Sequence, residues 1–313
     1  MIHIFPDYYE KFTCISSRCR HSCCVSWEID IDPETHSLYQ SIPGALGDRI
    51  RKSISRGEDP HFILDKDERC PFLMSDGLCE IIKELGHASL CEICAEHPRF
   101  HNPLTDRIES GLGLCCEEAA RIIITNKEKT FLVTEDQGKA PRSTDPVLVI
   151  RDAMLSSVQN RDLDIRSRLY ASLDLFGASV PENDVRALAD LFLSLEQMDS
   201  KWTELLISLK ENAESVDLDA FDDFMSDRQS EYEQLAVYII YRHAAKSSEV
   251  SYALSSLSFA VLAYELIRAL GALIYQNEGS FDTESQIMLM RLFSCEIEYS
   301  EENTDYLLDI LAP

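Results

Sequence analysis

The chain has 313 residues, 45% of them apolar, enough for one large core or two of ordinary size. With 55 acidic against 29 basic side chains its formal charge is -26. That balance excludes a sequence-independent grip on nucleic acid and disfavours an anionic membrane surface, both of which need clustered Lys and Arg; it suits a basic partner such as a lysine-bearing protein.

Met1 to Asp7 has no basic stretch leading into an apolar run, so no targeting segment is read there and a cytoplasmic location is expected. Of the eleven cysteines, only Cys295 lies outside Cys14 to Cys116. In a reducing compartment such clustering indicates metal ligands or catalytic thiols rather than disulfides, and the odd total fits a closed disulfide framework poorly.

Phe5 to Phe12 reads as a short entry segment. The first cysteine group follows as Cys14, Cys19, Cys23 and Cys24; Cys19 and Cys23 are four apart and share a face on a helical turn. Trp27 to Asp32 alternates like a strand, and Pro33 opens a helix to Gln40 with Asp32 as N-cap. Leu46 to Ser55 reads as helical and Phe62 to Leu64 as a strand. Cys70 and Cys79 flank an Asp76-Gly77 turn, which predicts a small hairpin folding the two thiols toward each other. Glu80 to Leu85 reads as a helix closed by Gly86. Cys91 and Cys94 form the one C-x2-C pair, without a matching knuckle, and Cys115 and Cys116 open a helix from Glu117 to Thr125. Gly111-Leu-Gly113 has the look of a nucleotide-binding loop, but such a loop follows an apolar strand, and His101 to Ile108 does not read as one.

Lys127 to Pro146 is polar and reads as a linker or loop. Beyond it the pattern is helical. Leu188, Leu191, Leu195, Met198, Trp202, Leu205 and Leu209 recur at threes and fours, as do Leu254, Leu257, Val261, Tyr264 and Ile267. Leu257 to Ile274 carries Glu265 and Arg268 and suits a buried helix rather than a membrane span. The expected fold is mainly α: a cysteine-rich metal-binding module with a few short strands over residues 1–126, a linker over 127–146, and a helical bundle over 147–313. Thiolates suit zinc or iron-sulfur clusters; four separated groups without paired C-x2-C knuckles lean weakly toward an iron-sulfur cradle and leave zinc open.

These residues bring a resemblance into view. Phe12-x-Cys14 through Cys23-Cys24 with Trp27 and Ile29 to Asp32, Cys70-Pro-Phe-Leu through Leu78-Cys79, Cys94 with Pro98-Arg99, and Cys116 before Glu118 to Arg121 resemble the flagellin lysine N-methylases. The first half is also similar to a wider group of zinc- or iron-chelating cysteine-cluster domains. Leu235 to Arg242 and Phe293 to Ser300 are similar to the family's later helices, although the resemblance places arginine and histidine where Cys295 and Tyr299 stand.

The resemblance implies S-adenosylmethionine-dependent methylation of lysine amines on flagellin, in a protein holding an iron-sulfur cluster of the 4Fe-4S type, with zinc as the alternative. It implies as ligands Cys14, Cys19, Cys23, Cys24, Cys70, Cys79, Cys94 and Cys116, with Cys91 and Cys115 additional to the pattern. No catalytic base or cofactor pocket is identified; Glu28, Asp30 and Asp32 beside the first cysteines are candidates for the base, more commonly solvated carboxylates. His21, His97 and His101 near the cysteines read as solvated or capping residues before ligands. The competing reading is a non-catalytic zinc- or iron-binding scaffold or adaptor.

Overall fold

Helix starts follow the acidic residues of the sequence in the computed structural model, which describes residues 1–181 and 184–313. In chain order the elements begin β1 (Ile2–Pro6), α1 (Pro33–Ser41), α2 (Gly44–Lys52), α3 (Glu80–Leu85), α4 (Glu92–Glu96), β2 (Arg99–Pro103), β3 (Arg107–Leu112), α5 (Glu117–Ile124) and β4 (Leu132–Thr134). They continue with α6 (Pro146–Val158), α7 (Ile165–Phe176), α8 (Val185–Leu193), α9 (Ser200–Glu211), α10 (Leu218–Phe224), α11 (Gln229–His243), α12 (Val250–Glu278), α13 (Thr283–Phe293) and α14 (Glu301–Ile310). Aspartate side chains accept the first amide protons of α1, α6, α7, α8, α9, α10 and α13. Part of the acidic excess is thus placed at helix N-termini, where a carboxylate satisfies orphan N–H groups and opposes the helix dipole. Asp32 takes the predicted N-cap role for α1, and α3 runs over the predicted residues.

The chain forms two compact units. The cysteine-rich unit is Thr13–Phe100 with Cys116–Glu118, and the larger unit is Met1–Phe12, His101–Cys115 and Ala119–Pro313. They interleave along the sequence, whereas composition divides it at residues 126 and 146.

The larger unit holds a four-stranded sheet in the order β2-β3-β1-β4. β1 runs parallel to β3, pairing Ile2 with Arg107 and Ile4 with Glu109, and antiparallel to β4, pairing Pro6 with Leu132. One expectation is corrected here: the linker contributes a strand, β4. The glycine pair is not a loop after an apolar strand; Gly111 lies within the polar strand β3, which sequence reading missed, and Gly113 follows its end directly. The strand's polar letters concealed it: Glu109 is buried against Arg151, and the two side chains neutralise each other inside the unit. Arg107 stands 4.0 Å from the same carboxylate.

The helices of this unit pack around α12, whose 29 residues include a nearly continuous buried run from Ala253 to Leu273. By length and composition α12 could cross a membrane, but its apolar stretch is mostly buried within the protein. Gly271 in α12 leaves room for Phe221, because a Cβ there would stand 2.7 Å from Phe221 Cζ. The leucine stripe from Leu188 to Leu209 does not form one helix. It breaks between α8 and α9, where the Met198 and Asp199 amides donate to Glu296 at 2.9 Å each.

The cysteine-rich unit has its own core of Ile29, Ile31, Tyr39, Ile50, Phe62, Phe72 and Ile81, to which Cys70 and Cys91 belong. Trp27 to Asp32 and Phe62 to Leu64 contribute isolated bridges, Asp30 to His61 and Ile54 to Phe62, rather than ladders.

Candidate metal centre

The hairpin between Cys70 and Cys79 forms as the Asp-Gly turn dictates. Leu73 bridges Cys79, the Met74 amide donates to Leu78 O at 2.9 Å, and Gly77 takes a φ of +77° that disfavours any residue with a Cβ. The Cys70 amide donates to Cys24 O at 2.8 Å and stitches the first cysteine group to this hairpin.

Backbone N–H groups are aimed at several of the sulfurs. Cys79 and Cys91 occupy the N-cap positions of α3 and α4. The Cys79 sulfur accepts from the amides of Ile81 and Ile82, Cys91 from that of Cys94, and Cys70 from that of Phe72. Cys14 Sγ accepts from the Ser16 amide at 3.4 Å. Helix N-termini and amide donors favour the thiolate over the thiol, which is the form a metal takes.

The thiols fall into two adjoining groups. Cys24, Cys70, Cys79, Cys91 and Cys94 act on one another's ionisation. Cys23 feels Cys14 and Cys116, and Cys19 feels Cys116 as well. The adjacent Cys23 and Cys24 join the groups.

Burial pushes the Cys19 thiol up to about 11 and Cys70 to about 12, and neighbouring sulfurs push further. Cys23 donates to Cys24, which is drawn down to about 7, and Cys94 donates to Cys91, which is likewise lowered. The two donors are raised accordingly. None of the eight cysteines from Cys14 to Cys94 is in a disulfide. Thiols crowded this closely, with amides already turned toward sulfur, fit a thiophilic metal that displaces their protons.

Cys91 is the residue that sequence comparison left aside and the structure places among the others, 1% exposed beside Cys94. Its signal was local: the C-x2-C spacing with Cys94 on one helical turn. Cys116 joins Cys19 and Cys23 in this unit. Cys115 belongs to the larger unit, where its sulfur meets the Tyr299 hydroxyl. Cys295 lies there too, accepting from Arg291 Nη1 at 3.3 Å.

Glu117 anchors the first cysteine loop. Its buried carboxylate accepts from the Arg20 amide at 2.9 Å and Arg20 Nε at 3.2 Å, and His21 Nδ1 lies 3.5 Å away. Asp32 is committed to helix starts, accepting from Thr35 at 2.9 Å and Glu92 at 2.8 Å. Glu28 and Asp30 stand exposed beside His61, with one ligand atom of each within 4.8 Å of the others. His97 packs edge-on to Trp27, and burial lowers it to about 4, so it is neutral near pH 7. His101 belongs to the larger unit, with Nδ1 2.6 Å from Ser110 Oγ.

The larger unit contains a second polar cluster that sequence reading did not find. The chain between α13 and α14 makes a single turn of π-helix at Ser294–Glu298, an element often found at functional positions. Glu298 accepts from His243 Nε2 at 2.8 Å and from the Tyr238 hydroxyl at 3.1 Å, with Arg242 Nε 3.6 Å away. Tyr238 also accepts from Arg242 at 2.7 Å and from the Leu114 amide at 3.2 Å. Arg242 lies over the Tyr299 ring at 4.9 Å. Gly113 is required by close approach, since a Cβ there would stand 2.6 Å from the Tyr299 hydroxyl. That contact gives the glycine a packing role in place of the nucleotide-loop reading.

The class defined by these observations is a mainly helical protein carrying a thiol-lined unit suited to metal. Comparison with known proteins is more specific. Residues 184–312 match the family model of the FliB lysine N-methylase C-terminal domain. The chain is 25% identical over 207 residues to "Lysine-N-methylase" of Salmonella typhimurium, covering 59% of this chain and 50% of that protein. The same identity and coverage hold for "Lysine-N-methylase" of Salmonella choleraesuis. It is 27% identical over 140 residues to "Flagellar biosynthetic protein FliU" of Salmonella muenchen, covering 41% of this chain and 79% of that one. The C-terminal part of the chain is thus similar to the FliB lysine N-methylases, and the chain spans about half the length of the lysine N-methylases it matches. No solved structure matches.

Proposed function

We propose that the chain is a protein lysine N-methylase that takes methyl from S-adenosylmethionine in the cytoplasm, with flagellin as the substrate. The observation that carries this reading is the match of residues 184–312 to the C-terminal domain of that family, supported by the names of the relatives.

The chemistry sets its own conditions. The amine must be neutral to displace sulfur from the methyl carbon, and an ordinary lysine, with a pKa of about 10.4, is almost wholly protonated near pH 7. The site must therefore remove a proton and bring nitrogen, carbon and sulfur into line.

For the metal, Cys24, Cys70, Cys79, Cys91 and Cys94 form the inner donor set, with Cys14, Cys19, Cys23 and Cys116 beside it. An iron-sulfur cluster is the reading favoured by family, and zinc fits the same donors. Bound there, either would cross-link loops and short helices, so the unit's folding would depend on it.

The test incubates metal-replete protein with labelled S-adenosylmethionine and flagellin and maps modified lysines by mass spectrometry. Labelled lysines are expected. Replete protein that neither binds S-adenosylmethionine nor labels any lysine would leave the metal-binding scaffold as the better account. Metal analysis and a visible spectrum on anaerobically prepared protein separate iron-sulfur, which is coloured, from zinc, which is not.

A further inference from the structure

Within the larger unit, α7, α8, α10 and α12 surround a cavity of about 880 Å³. Val180, Val185, Leu188, Val216, Leu218 and Leu262 give it apolar walls. Five carboxylates line it against two guanidiniums, those of Arg166 and Arg268. Both guanidiniums are engaged. Glu265 accepts from Arg166 at 3.1 Å, from Arg268 at 3.3 Å and from the Tyr170 hydroxyl at 3.0 Å, and Arg268 also pairs with Asp222. The other four carboxylates are Asp184, Glu214, Asp217 and Asp219. Asp184 and Asp217 each use one oxygen to cap a helix, at 2.8 and 2.9 Å, and Glu214 has Arg186 at 3.7 Å. The lining thus joins apolar walls to a surplus of negative charge.

We propose that this cavity docks a lysine side chain of a lysine-rich substrate segment, with the methylenes against the apolar walls and the ammonium among the four carboxylates. The proposal rests on the methylase reading and deepens it. Such surroundings stabilise the charged ammonium, which opposes its attack on a methyl group. The cavity therefore suits a lysine flanking the target rather than the one being methylated. Charge complementarity selects this occupant, because a long alkylammonium presents the two surfaces the cavity offers.

The test uses the full chain and a fluorescein-labelled oligolysine peptide, read by anisotropy. The triple variant Asp184→Asn, Asp217→Asn, Asp219→Asn removes three charges while keeping both helix caps, since Asn caps as well as Asp. A matched variant, Glu302→Gln, Asp305→Asn, Asp309→Asn, removes three exposed charges from α14. The cavity variant should weaken peptide binding roughly tenfold, from three exposed charges acting together on one ammonium-bearing segment, and the α14 variant less than about twofold. With flagellin the cavity variant should raise KM and leave kcat unchanged. An ε-acetylated peptide should not bind the unaltered chain.

Equal losses in both variants, or no loss in the cavity variant, would overturn the proposal. So would loss of S-adenosylmethionine binding in the cavity variant with peptide binding intact. Selective peptide loss without methyl transfer by any form of the protein would uphold the docking site and remove the methylase reading.

Discussion

Glu298→Gln isolates the buried charge pair of the larger unit. The side chain keeps its shape and polar atoms, so it changes mainly the charge facing Arg242. The pair is buried, with Arg242 Nε 3.6 Å from the carboxylate. At an effective dielectric of about 20, two unit charges at that distance attract by about 4–5 kcal/mol. Loss of one partner from a buried pair costs about 3–5 kcal/mol, because the remaining charge is left uncompensated. We expect a loss of about 3 kcal/mol, a large share of the roughly 5–15 kcal/mol that stabilises a typical domain. Urea denaturation followed by far-UV circular dichroism reads it. The double variant Arg242→Met, Glu298→Leu should recover part of the loss, since it removes both charges. A Glu298→Gln variant within about 1 kcal/mol of the parent would refute the reasoning and show that Arg242 finds its counter-charge elsewhere.

His243 gives a pH dependence to the same region: burial lowers it from 6.5 to about 4 against the Glu298 hydrogen bond, so it stays neutral in the folded state where the unfolded chain binds a proton. Stability should therefore fall as pH drops from about 6.5 toward 4, by on the order of 3 kcal/mol in full, and His243→Gln should flatten urea midpoints measured across that window. Gly271→Ala would drive a methyl to 2.7 Å from Phe221 Cζ. It should cost about 1–3 kcal/mol by overpacking, read as a fall in melting temperature; an unchanged melting temperature would mean that Phe221 moves aside without penalty. Cys91→Ser should lower bound metal and loosen the cysteine-rich unit to proteolysis, whereas Cys115→Ser and Cys295→Ser should leave metal content unchanged; full metal in the Cys91 variant would remove it from the donor set.

Helices were the most legible part of the fold, because their signals are local. Asp32 with Pro33, and Gly86 after Leu85, are start and stop marks that depend on no distant residue. The sheet was hidden for the opposite reason. β3 reads Arg-Ile-Glu-Ser-Gly-Leu, and its polar residues are tolerable inside only because Arg151, far along the chain, meets Glu109. The leucine stripe across α8 and α9 misled in another way: its spacing is helical, but Glu296 captures the amides at Met198 and Asp199 and gives the break a place to form. A periodicity shows which residues face inward, not whether the backbone between them is continuous.

In the site, the clustering of cysteines was visible in the sequence, while their grouping was not. Cys91 and Cys115 looked equally dispensable by comparison with a family, yet the fold sends one among the thiols and the other against Tyr299. The departures at Cys295 and Tyr299 follow the same logic. The family resemblance places cationic or ionisable side chains there, and each position instead meets a guanidinium from elsewhere: Arg291, one turn earlier, donates to Cys295, and Arg242 lies over Tyr299. Positive charge thus stands beside both positions, supplied by residues that a position-by-position comparison does not consult. An electrostatic field at the π-helix can be supplied by any side chain that reaches it, from whatever position in the chain.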